Sequence, residues 1–169
     1  MKVSIEEFSR FGLFKGVPSD KLSRVAALIT IVHVDAGTTI IEDGTTGSTM
    51  YLLLSGEVEI AKNLVLKVSR SQVNQGTKML NTFSDKDKLV FGELALLDEK
   101  SKRSATVIAK TPCTLGVVEI KPFLKLAEDD KEVGYYIFKN MATQLSVQLR
   151  RANEDALNLT TALSFALRR

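Results

Sequence analysis

The sequence predicts a mainly β chain with flanking helices: a jelly-roll or double-stranded β-helix barrel followed by a long C-terminal dimerisation helix. Apolar residues have helical spacing at the N-terminus, alternate with a period of two from about residue 30 to residue 120, and regain helical spacing after Pro122. The 169 residues, 44% of them hydrophobic, suffice for one sizeable core. We expect a barrel unit with N-terminal helices at 1–132 and the long helix at 133–169.

Two short helices are expected before the β region. The first apolar cluster consists of Phe8, Phe11, Leu13 and Phe14. The second follows Pro18-Ser19-Asp20, a sequence typical of a helix start, and continues through Ile29.

Glycine-containing turns at roughly ten-residue spacing divide the middle of the chain into short strands. This pattern is typical of an antiparallel sandwich or barrel. Between Lys62 and Lys88 the alternation weakens, which indicates a long projecting hairpin. We interpret its basic residues as a solvated surface rather than a binding patch. They are Lys62, Lys67, Arg70, Lys78, Lys86 and Lys88.

The C-terminal helix carries an apolar heptad seam, defined by steps of four and three residues. Its members are Phe138, Ala142, Leu145, Leu149, Ala152, Ala156, Leu159 and Leu163. A helix of this length extends past the roughly 30 Å of a small barrel, so we expect a homodimer through 138–163. The alternative is that the seam packs on its own barrel, which would explain its first two turns but not the stretch from Ala152 to Leu163.

The composition disfavours catalysis. His33 is the one histidine, and it alternates with valines in a predicted strand, so we interpret it as an ordinary strand residue. Cys113 is the one cysteine, and zinc sites normally recruit several Cys or His ligands. We expect no enzyme activity, no metal and no cofactor.

The net charge of +3 does not by itself indicate nucleic-acid binding. The longest apolar runs have five residues, against the roughly 20 that span a bilayer, and the N-terminus lacks a secretory apolar stretch. We therefore expect a cytoplasmic protein that does not enter a membrane, and the unpaired cysteine fits that reducing compartment.

The most informative motif is Phe-Gly-Glu-Leu-Ala-Leu-Leu at 91–97, followed by Arg-Ser-Ala-Thr-Val at 103–107. Gly92 permits a tight turn and close approach of the backbone to a ligand, and the residues after it favour one short helix whose N–H groups suit an anion. Arg103, placed at the opening of the next strand, offers a bidentate fork to phosphate oxygens, and Ser104 adds a hydroxyl. Glu93 would repel a phosphate, so we expect it to accept from a sugar hydroxyl or to pair with Arg103. A plain turn with a surface ion pair is the simpler alternative.

Together these residues resemble the cyclic nucleotide-binding domain family, whose phosphate-binding cassette has the same two parts. We refer to residues 91–107 as the cassette. The resemblance covers roughly residues 5–150 and includes the turn pattern Ile-Glu-Asp-Gly at 41–44 and Met-Tyr-Leu-Leu-Leu-Ser-Gly-Glu-Val at 50–58. The spacing from Glu93 to Arg103 is similar to that of the catabolite activator branch.

The resemblance implies a ligand site for a cyclic nucleotide. Its residues would be Gly92, Glu93, Leu94, Ala95, Arg103, Ser104, Ala105, Ile60, Leu80 and Gln148. In the family, the residue at Glu93 binds the ribose 2′-hydroxyl, and the residue at Arg103 pairs with the cyclic phosphate. Ile60 and Leu80 fall near the base pocket, and Gln148 falls close to where a threonine contacts the purine.

Two positions depart from the family pattern. Lys102 stands where many members have proline, which would loosen the loop without removing a ligand group. Gln148 leaves the choice of base open, because an amide can pair with either purine edge. Ser104 matches the catabolite activator branch, so we expect cyclic AMP (cAMP), with modest discrimination against cyclic GMP (cGMP).

We therefore expect a cytoplasmic regulatory domain that acts in signal transduction by ordering its C-terminal helix when a cyclic nucleotide binds. The chain lacks a recognisable DNA-binding domain after its helix, so we expect a stand-alone sensor acting on an effector that the sequence does not identify. The alternatives are a ligand-free dimerisation module of the same fold and a regulatory fragment of a larger protein. A cupin-type isomerase or oxygenase is disfavoured by the single histidine.

Overall fold

Two four-stranded antiparallel sheets form the centre of the molecule in the computed structural model. The structure describes residues 4–69, 72–97 and 102–167, with the backbone alone described over 62–69 and 72–80. The strands are β1 (Ile29–Val34), β2 (Thr39–Ile41), β3 (Thr49–Ser55), β4 (Glu57–Ser69), β5 (Gln72–Ser84), β6 (Val90–Phe91), β7 (Thr106–Ala109) and β8 (Cys113–Glu119). The first sheet has the order β1-β8-β3-β6 and the second the order β2-β7-β4-β5.

The inward faces of the two sheets share one apolar core. Leu53 and Leu115 from the first sheet pack with Val58 and Val107 from the second, and all four side chains are buried. Period-two alternation places these residues inward, as the sequence indicates. The mainly β jelly-roll fold class is thus confirmed. Over the described residues, the sheets remain two layers and do not close into a barrel.

A second core lies between the first sheet and the helices. It contains Phe11 and Phe14 near a 3₁₀ turn (Gly12–Phe14), together with residues of α1 (Ile5–Phe8) and α2 (Ser19–Ala26). The helix predicted to run through Ile29 ends earlier, at Ala26. The reason is that Ile29 already pairs with Val118 as the first residue of β1, where its β-branched side chain suits a strand.

The region after about Pro122, where helical spacing was predicted, contains a short helix and a long helix. They are α3 (Ile120–Asp129) and α4 (Lys131–Leu167), separated by the extended residue Asp130. Helix α3 begins two residues before Pro122 rather than after it. Proline is tolerated there because N–H groups in the first turn of a helix have no partner within the helix.

The apolar stripe that α4 buries differs from the predicted seam. Val133, Ile137 and Met141 are fully buried, whereas the seam residue Phe138 is 40% exposed and Ala142 is exposed. Each helical residue is turned by about 100° from the one before, so a neighbouring stripe faces the core. The alternative in which the first two turns of the seam pack on their own barrel is therefore not supported at Phe138 or Ala142. Leu145 is the seam member that packs partly against this core.

The predicted hairpin is formed by β4 and β5, which have 13 residues each. Beyond Ala61 the two strands pair with each other, whereas Val58 to Ala61 also pair with β7. Arg70 lies outside the described residues, as do the side chains of Lys62, Lys67 and Lys78.

The remaining basic residues of this region and the histidine are well described. Lys86 is exposed, but Lys88 is only half-exposed, with its Nζ 5.7 Å from the Phe11 ring centroid and 3.5 Å from a Glu7 carboxylate oxygen. His33 lies in β1 as predicted, with Nδ1 3.1 Å from the Thr114 hydroxyl. Among the described helices, none combines the length and apolar character that crossing a membrane requires.

The junction of α3 and α4 yields a stability prediction. A Cβ added at Gly134 would lie 2.5 Å from the Ala127 carbonyl oxygen, so Gly134→Ala should force the two helices apart. We expect a loss of about 1–3 kcal/mol in urea unfolding, despite the higher helix propensity of alanine. Thr143→Ala, an exposed change on the same helix, should remain within about 0.5 kcal/mol of wild type. Wild-type stability of Gly134→Ala would contradict the close packing.

Candidate functional site

A cavity of about 230 Å³ opens between the second sheet and the turn that follows β6. Its walls come from four parts of the chain: the second sheet, the strand β6 with the turn after it, the loop before β7, and α4. The predicted site residues that line it are Ile60, Gly92, Glu93, Leu94, Ala95, Arg103, Ser104, Ala105 and Gln148. Leu80 belongs to β5, but its side chain lies outside the described residues.

The turn after β6 depends on the glycine in the motif. Gly92 has φ of 77°, in the left-handed region that favours glycine. A Cβ at Gly92 would also lie 2.6 Å from Nη1 of Arg103. The short helix predicted after it is present as a 3₁₀ helix, Glu93–Leu96, which buries Ala95 and Leu96. Gly92 therefore allows the turn and leaves room for the arginine.

Arg103 is buried, with 9% of its surface exposed, and its guanidinium holds two segments of backbone. Nη1 donates to the Gly92 carbonyl oxygen at 3.1 Å, and Nη2 donates to the Thr49 carbonyl oxygen at 2.7 Å. Nη2 also lies 3.3 Å from the Thr49 hydroxyl. A guanidinium has five N–H donors, so these contacts leave Nε–H and one Nη1–H for another acceptor.

Arg103 does not open a strand as predicted, since β7 begins three residues later at Thr106. Instead, its backbone is held by the loop between β2 and β3. Its N–H donates to the Thr45 carbonyl oxygen at 2.7 Å, and its own carbonyl oxygen accepts from the Gly44 N–H at 2.9 Å. These two backbone hydrogen bonds anchor Arg103 to the loop between β2 and β3.

Glu93 lies half-buried in the same cavity, and burial raises the pKa of its carboxyl because the charged form loses contact with water. A backbone N–H and the Arg103 guanidinium each offset part of this rise. Within residues 4–69, 72–97 and 102–167, no ion pair within 4 Å joins Glu93 to Arg103. The predicted pairing of the two, and the surface ion pair of the simpler alternative, are therefore wrong.

The remaining wall of the cavity is largely apolar. Ile41, Phe83 and Leu89 line it together with Ile60. The lining residue Phe91 stacks on Tyr51, with 5.3 Å between the ring centroids. The sequence analysis did not predict Ile41, Phe83 or Leu89 as site residues. Phe83 faces the cavity because it pairs with Val58 in the β4–β5 register, and that register cannot be read from a hairpin with weak alternation.

Three charged side chains are found among the described residues that line the cavity. They are the cations Lys102 and Arg103 and the carboxylate Glu93, all within the cassette. Ser104 and Gln148 are exposed and add polar groups at the opening. Such a lining suits a ligand with one anionic group, hydroxyls and a flat apolar part.

The sequence matches the model of the cyclic nucleotide-binding domain over residues 31–130. The chain belongs to the cyclic nucleotide-binding domain family, a family of regulatory domains. It is 28% identical over 124 residues to the cAMP-activated global transcriptional regulator CRP of Haemophilus influenzae, covering 73% of this chain and 49% of that protein. It is also 39% identical over 89 residues to the cAMP-dependent protein kinase regulatory subunit of Aspergillus fumigatus, covering 53% of this chain and 18% of that protein.

The solved structures agree with the fold. The catabolite activator protein of Thermus thermophilus superposes with a TM-score of 0.71 at 24% identity, covering 88% of this chain and 63% of that one. The chain spans about half the length of the bacterial regulator and about a fifth of the kinase subunit. The similarity therefore concerns one domain of those longer proteins.

Glu93 yields a prediction on stability and pH. Because the folded protein holds the Glu93 proton more tightly than the unfolded chain, the free energy of unfolding falls as pH rises from the ordinary carboxyl pKa to the raised one. Glu93→Gln removes the buried charge, so its Tm at pH 7 without added ligand should exceed that of wild type. The difference should shrink below the ordinary carboxyl pKa. Glu128→Gln, an exposed change on α3, is the control and should leave Tm nearly unchanged, whereas a lower Tm for Glu93→Gln would contradict the account.

Proposed function

We propose that this chain is a regulatory domain that binds cAMP in the cavity lined by the cassette and α4. The observation that carries the proposal is that Arg103, Glu93 and an apolar wall line one space of about 230 Å³. The protein is proposed to bind and signal rather than to catalyse. The membership of the family and the cAMP named for both curated relatives support this choice.

In the proposed complex, Arg103 contacts the phosphate and Glu93 contacts the ribose. The two remaining N–H groups of Arg103 donate to oxygens of the cyclic phosphate, with Ser104 beside them. Glu93 in its ionised form accepts from the ribose 2′-hydroxyl, a role that does not require an ion pair with Arg103. The purine lies against the apolar wall that includes Ile60, with Leu80 remaining a predicted member of the base pocket.

The proposed preference is for cAMP, with cGMP as the weaker ligand. Gln148 can donate to or accept from either purine edge, and Ser104 offers its hydroxyl without the β-branching of threonine. Discrimination should therefore stay within about 1–2 kcal/mol, the scale of one neutral hydrogen bond.

In this proposal, helix α4 connects the ligand site to the surface through which the protein forms a dimer. Gln148 lines the cavity, and the exposed seam follows on the same helix, with Leu149 at 63% and Leu159 at 73% exposure. A ligand that contacts both cassette and helix favours the arrangement in which they meet. We propose a cytoplasmic homodimer through 138–163, organised as units 1–132 and 133–169, in which cAMP orders the helix for an effector protein.

A second candidate is a ligand-free dimerisation module. The contacts of Arg103 with Gly92 and Thr49 favour it, because they give the arginine a structural role without any ligand. A further alternative to the stand-alone sensor is a regulatory part of a longer protein, in keeping with the partial coverage of both curated relatives.

Calorimetric titration with cAMP tests the proposed function. Wild type should bind with a Kd of about 1 μM or below, and Arg103→Ala should lose about 100-fold or more because a charge-assisted fork is removed. Competition with cGMP should show a weaker affinity, by no more than about 30-fold. A wild-type chain that fails to bind either nucleotide would favour the ligand-free module.

Two controls separate binding from folding in this titration. Arg103→Ala also removes backbone contacts, so its thermal unfolding must show that a cooperative fold remains. Ser104→Ala changes an exposed side chain at the same end of the cavity and should weaken cAMP by a few fold without altering Tm. Full affinity in a folded Arg103→Ala variant would remove the arginine from the site.

The homodimer is tested by light scattering. Leu149→Asp places a charge in the exposed seam and should give the mass of a monomer, because an unpaired charge is costly in an apolar interface. Arg151→Asp, an exposed change outside the seam, should leave the mass unchanged. A monomeric wild type, or an unchanged mass for Leu149→Asp, would contradict the seam.

A further inference from the structure

Among the described residues that line the cavity, Lys102 is the second cation beside Arg103. The hydrogen bonds of the guanidinium explain the place of Arg103 but assign no role to Lys102. It lines the cavity beside Arg103, but its side chain is exposed whereas that of Arg103 is buried. The two cations therefore occupy different depths of one site, the arginine at the base and the lysine at the opening.

The backbone holds Lys102 in place at this opening. Lys102 forms an antiparallel bridge with Thr46, and the next N–H donates to the Thr45 carbonyl oxygen at 2.7 Å. The flexible side chain thus starts from a fixed Cα at the edge of the cavity. Proline at this position could fix the loop but could not supply the charge.

The charged group of Arg103 makes hydrogen bonds inside the protein, whereas Lys102 is exposed to solvent. The guanidinium donates to the carbonyl oxygens of Gly92 and Thr49, and its charge offsets part of the rise in the pKa of Glu93. Among the described residues that line the cavity, Lys102 is the exposed cation at the opening, where its charge can attract an approaching anion.

We propose that Lys102 is a steering residue, which captures the anionic group of the ligand at the opening and raises its association rate with the site. This inference rests on the proposed function, because it takes the cyclic phosphate as the anion. Exposed charges at the rim of a site act mainly on the association rate and its salt dependence, whereas buried hydrogen-bonded charges act mainly on dissociation. Lys102 therefore acts mainly on the association rate of the ligand, and Arg103 acts mainly on its dissociation rate.

Stopped-flow mixing with a fluorescent cAMP derivative labelled at C8 of the purine, which leaves the ribose 2′-hydroxyl free, tests this division. At about 10 mM salt, Lys102→Gln should lower the association rate constant about threefold to tenfold and leave the dissociation rate constant within about twofold. At about 0.5 M salt, where screening is strong, the two proteins should associate at similar rates. Lys102→Arg keeps the charge and should restore the wild-type rate at low salt.

The matched control is Lys110→Gln, which removes an exposed lysine just beyond the far end of β7 and outside the cavity lining. Its association rate should equal that of wild type at both salt concentrations. An unchanged association rate in Lys102→Gln, or a change confined to dissociation, would overturn the steering role while the nucleotide still binds. A wild type that binds no nucleotide would overturn the proposed function and this inference together.

Discussion

The buried guanidinium of Arg103 is the interaction on which the site depends. Through Gly92 and Thr49 it joins the turn after β6 to the start of β3, and its backbone is paired with the loop between β2 and β3. A buried cation requires hydrogen-bond partners, and carbonyl oxygens supply them at this position. The same group that organises the cassette also lines the cavity.

Helix α4 extends this organisation across the molecule. Its first turns are fastened to the N-terminal segment, where the Asn140 amide donates to the carbonyl oxygens of Leu13 and Lys15 at 3.0 and 2.8 Å. Further along, Gln148 reaches the cavity. At about 1.5 Å per residue, the 37 residues of α4 span about 55 Å, so its distal part projects away from the sheets. One rigid element therefore contacts the core, the candidate site and the solvent in succession.

The sequence predicted the parts of this account that depend on periodicity and on a dense motif. Alternation indicated the sheets, the cassette indicated seven residues that do line one cavity, and the family resemblance added Ile60 and Gln148. It did not predict the stripe of α4 that faces the core, because Ile137 and Phe138 are both apolar and the choice between them depends on tertiary packing. Nor could it predict Phe83 as a lining residue, since that depends on hairpin register. It also left two roles open for Glu93 and did not predict that Arg103 donates to the carbonyl oxygens of Gly92 and Thr49.

A crystal structure of the chain with cAMP tests the central claim most directly. The account predicts the cyclic phosphate within hydrogen-bond distance of Nε and Nη1 of Arg103, and the ribose 2′-hydroxyl on the Glu93 carboxylate. The contacts of the guanidinium with Gly92 and Thr49 should persist, because they build the site rather than compete with the ligand. Nucleotide bound outside this cavity, or a phosphate held without Arg103, would contradict the account.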